Sequence, residues 1–434
     1  MSHSDPDPDR AASPLRGERR RFIAGGLGLA GAAVTLPIAS RAAAPPGAVE
    51  RPVPADPAKA PGHPLDDESY GSRSQFETEV RQRYKTATPL SSWTFTPLQD
   101  SIGIVTPSGL FFERSHAGTA TIDPRRHTLF VHGLVARPRK YSMRDVKRFP
   151  SISRLLFLEC SGNGLTEWSK PTMPTVQGTH GLTSTAEWTG VPLATILREV
   201  GVRGSAKWVL AEGDDGAAMT RSIPIEKAMK DCILAWGQNG EALRPEQGYP
   251  LRLLVPGFEG NMNIKWLRRL EISDAPFMTR EETSKYTDIR PNGKAVQFSF
   301  EMEAKSVITS PSGGMQLEGT GFHEISGLAW SGRGTIRRVD VSVDGGGSWR
   351  EAQLQGPVLP ICHTRFRLPW QWDGKGTAVL QSRCVDDTGY VQPTLGQVIA
   401  ERGLNGPLGS IYHLNAIQSW QVASDGKVIN VHHY

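Results

Sequence analysis

The chain has few cysteines, and their spacing excludes several kinds of site. Its 434 residues include four, Cys160, Cys232, Cys362 and Cys384. The sequence contains no CxxC pair and no CxxCH motif, which argues against a structural zinc site and against covalently attached haem in this chain. An even number permits disulfides in an exported protein, and Cys362 with Cys384 is a candidate pair, although nothing in their spacing requires it.

Nucleotide and nucleic-acid signatures are also missing. No GxGxxG and no P-loop is present, so the sequence has no fingerprint for NAD or ATP. The net charge of +5 is small for this length. Because no basic stripe or nucleic-acid motif is present, we expect no binding to DNA or RNA. A length of 434 residues with 38% hydrophobic residues predicts a globular protein of two or three domains.

The first 44 residues have the pattern of a twin-arginine export signal. Arg19, Arg20 and Arg21 precede a Gly/Ala-rich apolar run over 23–38, and three alanines at 42–44 suit cleavage. A membrane anchor is the alternative, but the run falls short of the roughly 18–20 apolar residues that a span needs. We therefore expect a periplasmic protein without a membrane span. Since this route carries folded proteins, it favours a cofactor inserted before export.

Composition divides the rest of the chain into three parts. Residues 45–69 are rich in Pro and Ala and predict an extended linker or arm. Residues 70–296 mix apolar strands with short helices, which predicts an α+β domain. Residues 297–434 contain two-faced strands at regular intervals, which predicts an all-β sandwich of immunoglobulin type.

One stretch, LLFLECSGNG at 155–164, is the candidate centre of the first domain. Four apolar residues predict a short buried strand that ends at a Gly-containing turn, with Cys160 at the junction. A thiolate at such a rigid strand end could bind a soft metal or act as a nucleophile. A buried structural cysteine is the alternative, and this stretch alone does not exclude it.

An ordered set of motifs around this stretch resembles the sulfite oxidase family of molybdenum enzymes. The motifs keep the family's order and nearly its spacing over most of the chain after the linker. They are FERSH at 112–116, CSGN at 160–163, STAEW at 184–188, RSIP at 221–224, GYPLR at 248–252, VPG at 255–257 and NIKW at 263–266.

The resemblance implies a fold, a cofactor and a set of site residues. The fold is a molybdopterin-binding α+β domain followed by an immunoglobulin-like dimerisation domain. The cofactor is molybdenum held by the two sulfurs of a pterin dithiolene and by one protein thiolate, which would be Cys160. Residues implied to bind the cofactor are Phe112, Arg114, His116, Cys160, Asp215, Gln247, Arg252, Asn263 and Lys265; those implied in catalysis are Arg114, Tyr286 and Arg402.

Five of these residues also have an ordinary interpretation. Arg252 and Lys265 could be solvated charges, and His116 could be a hydrogen-bonded loop histidine. Asp215 lies in a turn signal, and Tyr286 could be a surface aromatic in a polar loop. The ordered set of motifs favours the cofactor site over these alternatives.

Departures from the family pattern bear on the substrate. Leu165 replaces a basic residue, and Gln247 and Asn263 replace two histidines, so we expect a less cationic pocket than one built for free sulfite. Together with the segments at 177–182 and 411–420, this resembles the SoxC-type molybdenum subunit of sulfane dehydrogenase. That resemblance implies oxidation of sulfane sulfur on a carrier protein, electron transfer to a c-type cytochrome subunit, and a homodimer or heterotetramer.

Two other functions remain open on the sequence. One is a periplasmic sulfite dehydrogenase that acts on free sulfite. The other is a non-catalytic exported binding protein with an immunoglobulin-like domain, which accounts for the export signal and the C-terminal half but not for the motifs around Cys160.

Overall fold

The computed structural model describes residues 70–403 and 413–433. The predicted signal and linker, residues 1–69, lie outside this part of the chain. The described residues from Gln75 onward form one compact unit. No helix within the described residues is long and apolar enough to cross a membrane.

Strands dominate the first part of the described chain, and short helices connect them. The strands are β1 Gln82–Arg83, β2 Ser92–Phe95, β3 Glu113–Ser115, β4 Thr128–Gly133, β5 Arg139–Ser142, β6 Ile152–Glu159, β7 Thr183–Pro192, β8 Trp208–Gly213, β9 Thr220–Pro224, β10 Ile233–Gln238, β11 Glu241–Ala242, β12 Arg252–Leu254, β13 Leu267–Ser273, β14 Asp288–Ile289 and β15 Ala295–Val296. The α-helices are α1 Met143–Val146, α2 Val176–His180, α3 Leu193–Val200, α4 Ile225–Lys230 and α5 Arg280–Ser284. Five 3-10 turns lie at Leu98–Asp100, Ser108–Leu110, Leu165–Glu167, Pro245–Gln247 and Gly260–Met262.

Two five-stranded sheets position the first domain's core. One has the order β5-β4-β13-β8-β9, and the other has the order β11-β10-β7-β6, with β12 also paired to β10. A three-stranded sheet, β1-β2-β3, carries the FERSH segment. Leu129, Val131 and Leu270 of the first sheet pack with Val191 of the second and with Ile196 of α3. Because sheets and helices share one apolar core, the α+β prediction for this domain is confirmed.

Helix α3 shows why the local predictions succeed. Apolar residues recur at helical spacing over 191–201, and α3 spans Leu193–Val200. Pro192 is its N-cap, and Gly201 follows it with φ +70°, a left-handed conformation that favours glycine. The signals that begin and end this helix are local, so they can be read from the sequence.

The C-terminal part consists of two antiparallel sheets and one helix. Its strands are β16 Lys305–Ser310, β17 Gly321–Trp330, β18 Ile336–Ser342, β19 Arg350–Glu351, β20 Gln353–Gln355, β21 Thr364–Trp372, β22 Ala378–Asp386, β23 Ser419–Val422 and β24 Val428–Val431. They form sheets in the orders β16-β17-β21-β20 and β19-β18-β22-β23-β24. Trp330, Phe366 and Trp420 are buried in the core to which both sheets contribute, so the β-rich prediction is confirmed.

Two details of this part differ from the simplest expectation. Helix α6, Leu395–Arg402, interrupts the all-β pattern. Thr394 and Gln397 form a capping box that stabilises the start of this helix. Cys362 and Cys384 are both free and buried, so the candidate disulfide does not form in this structure.

Candidate functional site

A cavity of about 750 Å³ opens beside the Cys160 turn. Its walls come from β3, the end of β6, the turn after β8, and the chain on either side of β12. Ten of the eleven residues that the family resemblance implied line it together: Phe112, Arg114, His116, Cys160, Asp215, Gln247, Arg252, Asn263, Lys265 and Tyr286. The fold thus gathers residues that are up to 174 positions apart in the sequence.

Cys160 lies on this cavity because of where β6 ends. The strand pairs with β7 up to Glu159 opposite Thr183, and the Cys160 amide then donates to the Leu182 carbonyl at 2.9 Å. The Asn163 amide donates to the Cys160 carbonyl at 2.9 Å, which closes the turn. Burial raises the pKa of the thiol. A bound metal would have to displace the proton of this thiol, because the thiolate is the ligand form.

Glycines allow two close approaches around the cavity. A Cβ on Gly260 would lie 2.7 Å from the Glu159 carbonyl oxygen and 3.1 Å from Cys160 Cα. Gly248 has φ +104°, and a Cβ there would lie 3.0 Å from Lys265 Cβ and 3.2 Å from Arg252 Cβ. These two positions need glycine because the cysteine turn and the two cations pack directly against them.

Arg252 is a buried cation held by backbone carbonyls and an aromatic ring. Its guanidinium donates to the backbone carbonyls of Gln247 at 3.0 Å and Asn263 at 3.3 Å, and it stacks 4.9 Å from the Trp188 ring centre. Among residues 70–403 and 413–433, no carboxylate lies within 4.0 Å of it. Its Nε is buried without a hydrogen-bond partner, and burial lowers its pKa to about 9. An anionic ligand in the cavity would supply the missing charge.

Lys265 is the second deep cation. Its ammonium donates to Ser115 Oγ at 2.7 Å and to the carbonyls of Glu246 at 3.0 Å and Arg114 at 3.1 Å. Glu113 Oε1 lies 3.6 Å away and makes no hydrogen bond of its own. Burial, aided by Arg252 and opposed by Glu113, lowers the pKa of Lys265 to about 8. Glu113 compensates the charge of Lys265 only in part, so this lysine is suited to holding an anion.

The pKa of Lys265 gives cofactor retention a definite pH dependence. A bound anion raises that pKa, so affinity is complete below pH 8 and is lost as pH rises through 8 toward the bound-state value. We expect roughly ten-fold greater loss of an anionic cofactor on dialysis at pH 9.5 than at pH 7. The variant Lys265→Arg, whose guanidinium has a higher intrinsic pKa than an ammonium, should reduce this difference to the part that Arg252 contributes. Equal loss from the two proteins at pH 9.5 would contradict the assignment.

The two amides that replace family histidines are fully engaged. Gln247 Nε2 donates to the Phe112 carbonyl at 2.9 Å, and its Oε1 accepts from Arg252 at 3.3 Å. Asn263 Nδ2 donates to the Glu259 carbonyl at 3.1 Å, and its Oδ1 accepts from the Val255 amide at 2.7 Å. They therefore hold the cavity wall in shape without adding charge to it.

Asp215 and Phe112 complete the walls. Asp215 lies in the turn after β8, where its Oδ1 accepts from the Met219 amide at 3.3 Å. Phe112 is buried and stacks on Phe111 with ring centres 5.4 Å apart. The Phe112 amide donates to Ser184 Oγ at 3.2 Å, which ties this wall to β7. The aromatic ring gives a flat ligand an apolar surface.

Arg114, His116 and Tyr286 form a connected group at the mouth of the cavity. Arg114 Nη2 lies 3.2 Å from His116 Nδ1, and His116 Nε2 lies 3.3 Å from the Tyr286 hydroxyl. Desolvation and the nearby cations, Arg114 first among them, lower the pKa of His116 to about 4. Burial raises the pKa of Tyr286, so its hydroxyl stays protonated. The mouth thus presents one cation, one neutral imidazole and one hydroxyl donor.

Arg221 is a neighbour of this group that the sequence analysis did not assign to the site. It is 1% exposed on β9, its guanidinium lies 5.2 Å from the Tyr286 ring centre, and it donates to Asn261 Oδ1. Asn261 lines the cavity and donates to Glu259 Oε2 at 2.7 Å. The sequence placed Arg221 in a matched motif but gave no sign that it would pack against a tyrosine 65 positions away.

Leu165 does not line the cavity. It lies in the 3-10 turn Leu165–Glu167 and packs against an apolar cluster that includes Trp168, Leu395 and Val398. Since its side chain faces that cluster, the missing basic residue does not change the charge of the cavity wall in this structure. The inference that Leu165 makes the pocket less cationic is therefore wrong, because this residue does not lie on the cavity wall.

Arg402 is the one implied site residue that the structure does not bring to the cavity. It lines a separate cavity of about 590 Å³ with Glu303, Asp288 and His413. Its guanidinium donates to Glu303 Oε2 and, at 2.9 Å, to the His413 carbonyl. Glu303 compensates its charge, and these contacts hold its side chain in the second cavity.

The donor set of the first cavity fits a molybdenum pterin cofactor. A soft thiol at one point suits molybdenum, while two buried cations and a partnerless guanidinium nitrogen suit a terminal phosphate. The aromatic ring of Phe112 lines the same cavity as the thiol and the two cations. Cys160 would be the metal ligand, and Arg252 and Lys265 would hold the anionic end.

Comparisons with known proteins agree with this geometry. Residues 116–281 match the oxidoreductase molybdopterin binding domain, and residues 296–420 match the Mo-co oxidoreductase dimerisation domain. The mitochondrial sulfite oxidase of Mus musculus is 33% identical over 343 residues, which cover 73% of this chain and 62% of that protein. The NADH nitrate reductase 1 of Arabidopsis thaliana is 32% identical over 309 residues, 62% of this chain and 33% of that protein.

A solved structure is similar over nearly its whole length. The crystal structure of the sulfane dehydrogenase SoxCD from Paracoccus pantotrophus superposes with a TM-score of 0.83 at 46% identity, over 86% of this chain and 96% of that chain. The chain thus spans about three fifths of the mouse enzyme but almost all of the matched SoxCD chain.

Proposed function

The chain belongs to the sulfite oxidase family of molybdopterin oxidoreductases, and from this premise we propose that it is the molybdenum subunit of a sulfane dehydrogenase. The observation that carries the proposal is the cavity in which the Cys160 thiol and the unpaired Arg252 guanidinium occur together. We place the catalytic domain at 70–296 and the dimerisation domain at 297–434.

The cofactor, when bound, supplies a two-electron redox centre and an oxygen that can be transferred to sulfur. Cys160 would be its protein ligand, and Arg252 and Lys265 would neutralise its phosphate. Phe112, Gln247 and Asn263 would shape the wall against which it lies, with the two amides already occupied by structural hydrogen bonds.

The residues at the mouth then bind and orient the substrate. Arg114 is the cation available to the anionic end of a sulfur substrate, since its own bonds go to carbonyl and hydroxyl oxygens and to His116. The protonated Tyr286 hydroxyl can donate a hydrogen bond to charge that develops on oxygen. The neutral His116 holds that hydroxyl at 3.3 Å.

Tyr286→Phe tests the donor role of this hydroxyl. We expect kcat to fall about 10²- to 10³-fold, the usual loss when one donor to a developing charge is removed, with molybdenum content unchanged. Trp93→Phe is a control at the same mouth, because its ring stacks on Arg114 at 5.0 Å but offers no donor toward Tyr286. An unchanged kcat in Tyr286→Phe would exclude the role.

The proposed substrate is a sulfane sulfur carried on a cysteine of a carrier protein, and the proposed electron acceptor is a c-type cytochrome subunit. The similarity to SoxCD supports both, and the absence of a CxxCH motif from this sequence is compatible with a separate haem subunit. We further propose export to the periplasm by the twin-arginine signal at 1–44 and a homodimeric or heterotetrameric assembly.

Free sulfite is the second candidate substrate. The sulfite oxidase relatives favour it. Steady-state assays with free sulfite and with a persulfidated carrier protein, each with a c-type cytochrome as acceptor, distinguish the two. If the substrate is a sulfane sulfur, we expect turnover with the carrier protein and little turnover with free sulfite. Brisk turnover of free sulfite without the carrier would instead assign sulfite as the substrate. Protein purified without molybdenum would favour the non-catalytic binding function instead.

A further inference from the structure

Behind the Cys160 turn lies a buried carboxylate that the proposed chemistry does not use. Successive side chains of a strand point to opposite faces, so Glu159 points away from the cavity that Cys160 lines. Glu159 is fully buried, at 0% exposure. A buried carboxylate is unfavourable unless its oxygens are paired, so its partners indicate why it is there.

Two residues of the C-terminal domain pair with this carboxylate, one on each oxygen. Lys305 Nζ lies 3.2 Å from Oε1, and Trp330 Nε1 donates to Oε2 at 2.7 Å. Lys305 begins β16 and Trp330 ends β17, and the two are register partners in the same sheet. Both are buried, Lys305 at 1% and Trp330 at 0% exposure. The sheet therefore presents a cation and an indole donor side by side to one carboxylate.

The same contacts extend to the far end of the cysteine turn. Lys305 Nζ also donates to the Asn163 carbonyl at 2.9 Å, and Asn163 Nδ2 donates to Glu159 Oε1 at 2.9 Å. Asn163 Oδ1 in turn accepts from the Leu182 amide at 3.0 Å. Residues on both sides of Cys160 are thus fixed to the C-terminal domain and to the start of β7.

We propose that Lys305, Glu159 and Trp330 form a positioning cluster through which the C-terminal domain fixes Cys160 as a metal ligand. The inference rests on the proposed function, because it needs a metal at Cys160. It extends that function by giving the C-terminal domain a part in the metal site besides association of subunits. A contact that only joined the two domains would need no bonds to the residues bracketing the ligand.

Two variants and a matched control test the proposal on the purified, cofactor-containing protein. Lys305→Met removes the cation, and Trp330→Phe removes one donor while keeping an aromatic ring in the core. Arg365→Met is the control, because Arg365 also joins the two parts of the chain, donating to the Ser101 carbonyl at 2.8 Å and to the Gly103 carbonyl at 2.8 Å. Its bonds do not reach the Cys160 turn.

The readouts are the molybdenum retained on dialysis, the electron paramagnetic resonance spectrum of the partly reduced metal, and the thermal midpoint. We expect the two cluster variants to lose molybdenum roughly ten- to a hundred-fold faster than wild type, as is typical when the support of a metal ligand is removed, and to show a shifted spectrum. Arg365→Met should lower the midpoint but keep the wild-type spectrum and retention. Should Lys305→Met fail to fold, Trp330→Phe still decides.

Two results would overturn the proposal: wild-type spectra and retention in the cluster variants, or equal changes in Arg365→Met. If the wild-type protein contained no molybdenum, the proposed function itself would be wrong. The molybdenum content of wild type therefore distinguishes failure of the proposed function from failure of the positioning-cluster proposal.

Discussion

Replacing Cys160 with serine is expected to reduce sulfur-oxidising activity by more than about 100-fold, because losing only a residue that supports a metal ligand already costs up to about that much. A serine hydroxyl at the end of β6 would be a hard, weakly acidic donor in place of a soft thiolate. The turn itself should survive, since its hydrogen bonds use backbone groups and the Asn163 side chain. Turnover and molybdenum content on the same preparation measure the effect.

Cys232→Ser provides the matched control. Cys232 is free and 1% exposed, but it packs in the apolar core of the first domain and does not line the cavity. That variant should lose stability, because a hydroxyl replaces a thiol in an apolar core, while activity per molybdenum stays at the wild-type value. If Cys160→Ser kept wild-type molybdenum and activity, the ligand assignment would be wrong.

Arg252→Met is expected to weaken cofactor binding by about 2–5 kcal/mol, the cost of truncating one partner of a buried, hydrogen-bonded charge pair. This corresponds to a loss of roughly 30-fold to several thousand-fold in affinity. The reason is that Arg252 is a buried cation whose partners among the described residues are carbonyls, an amide and a ring, so an anionic ligand would compensate its charge. Fluorescence of the extracted, oxidised pterin measures cofactor per chain.

The control for this change is Arg139→Met. Arg139 is an exposed arginine on β5, 54% exposed at its side chain and paired with Glu199. Because exposed ion pairs contribute little, we expect the cofactor content of this variant to equal wild type. Wild-type pterin content in Arg252→Met, or equal losses in both variants, would contradict the assigned role.

Local signals explain how much of the fold could be predicted from the sequence. The apolar run before Cys160 predicted a strand that ends at the cysteine, and β6 ends at Glu159. Ser142, a residue type that favours helix N-caps, precedes α1, and its side chain accepts from the Asp145 amide. Such elements are determined by residues within one or two turns of each other, so composition and spacing are sufficient.

The parts that the sequence did not predict depend on contacts between distant residues. Nothing near Arg221 indicates Tyr286, and nothing near Leu165 indicates the apolar cluster that includes Leu395. The family resemblance implied Arg402 in catalysis, yet its guanidinium is engaged by Glu303 outside the Cys160 cavity. The resemblance linked Leu165 and Arg402 to the site and left Arg221 out, but packing decides which wall each side chain faces.

The central claim is that Cys160 is the protein ligand of a molybdenum pterin cofactor. X-ray absorption at the molybdenum edge, on wild type and on Cys160→Ser, counts the sulfur atoms bound to the metal. The account predicts about one molybdenum per chain and three sulfur ligands in wild type, two from the pterin and one from Cys160, and two sulfur ligands in the variant. Wild-type protein without molybdenum, or the same sulfur count in both proteins, would contradict it.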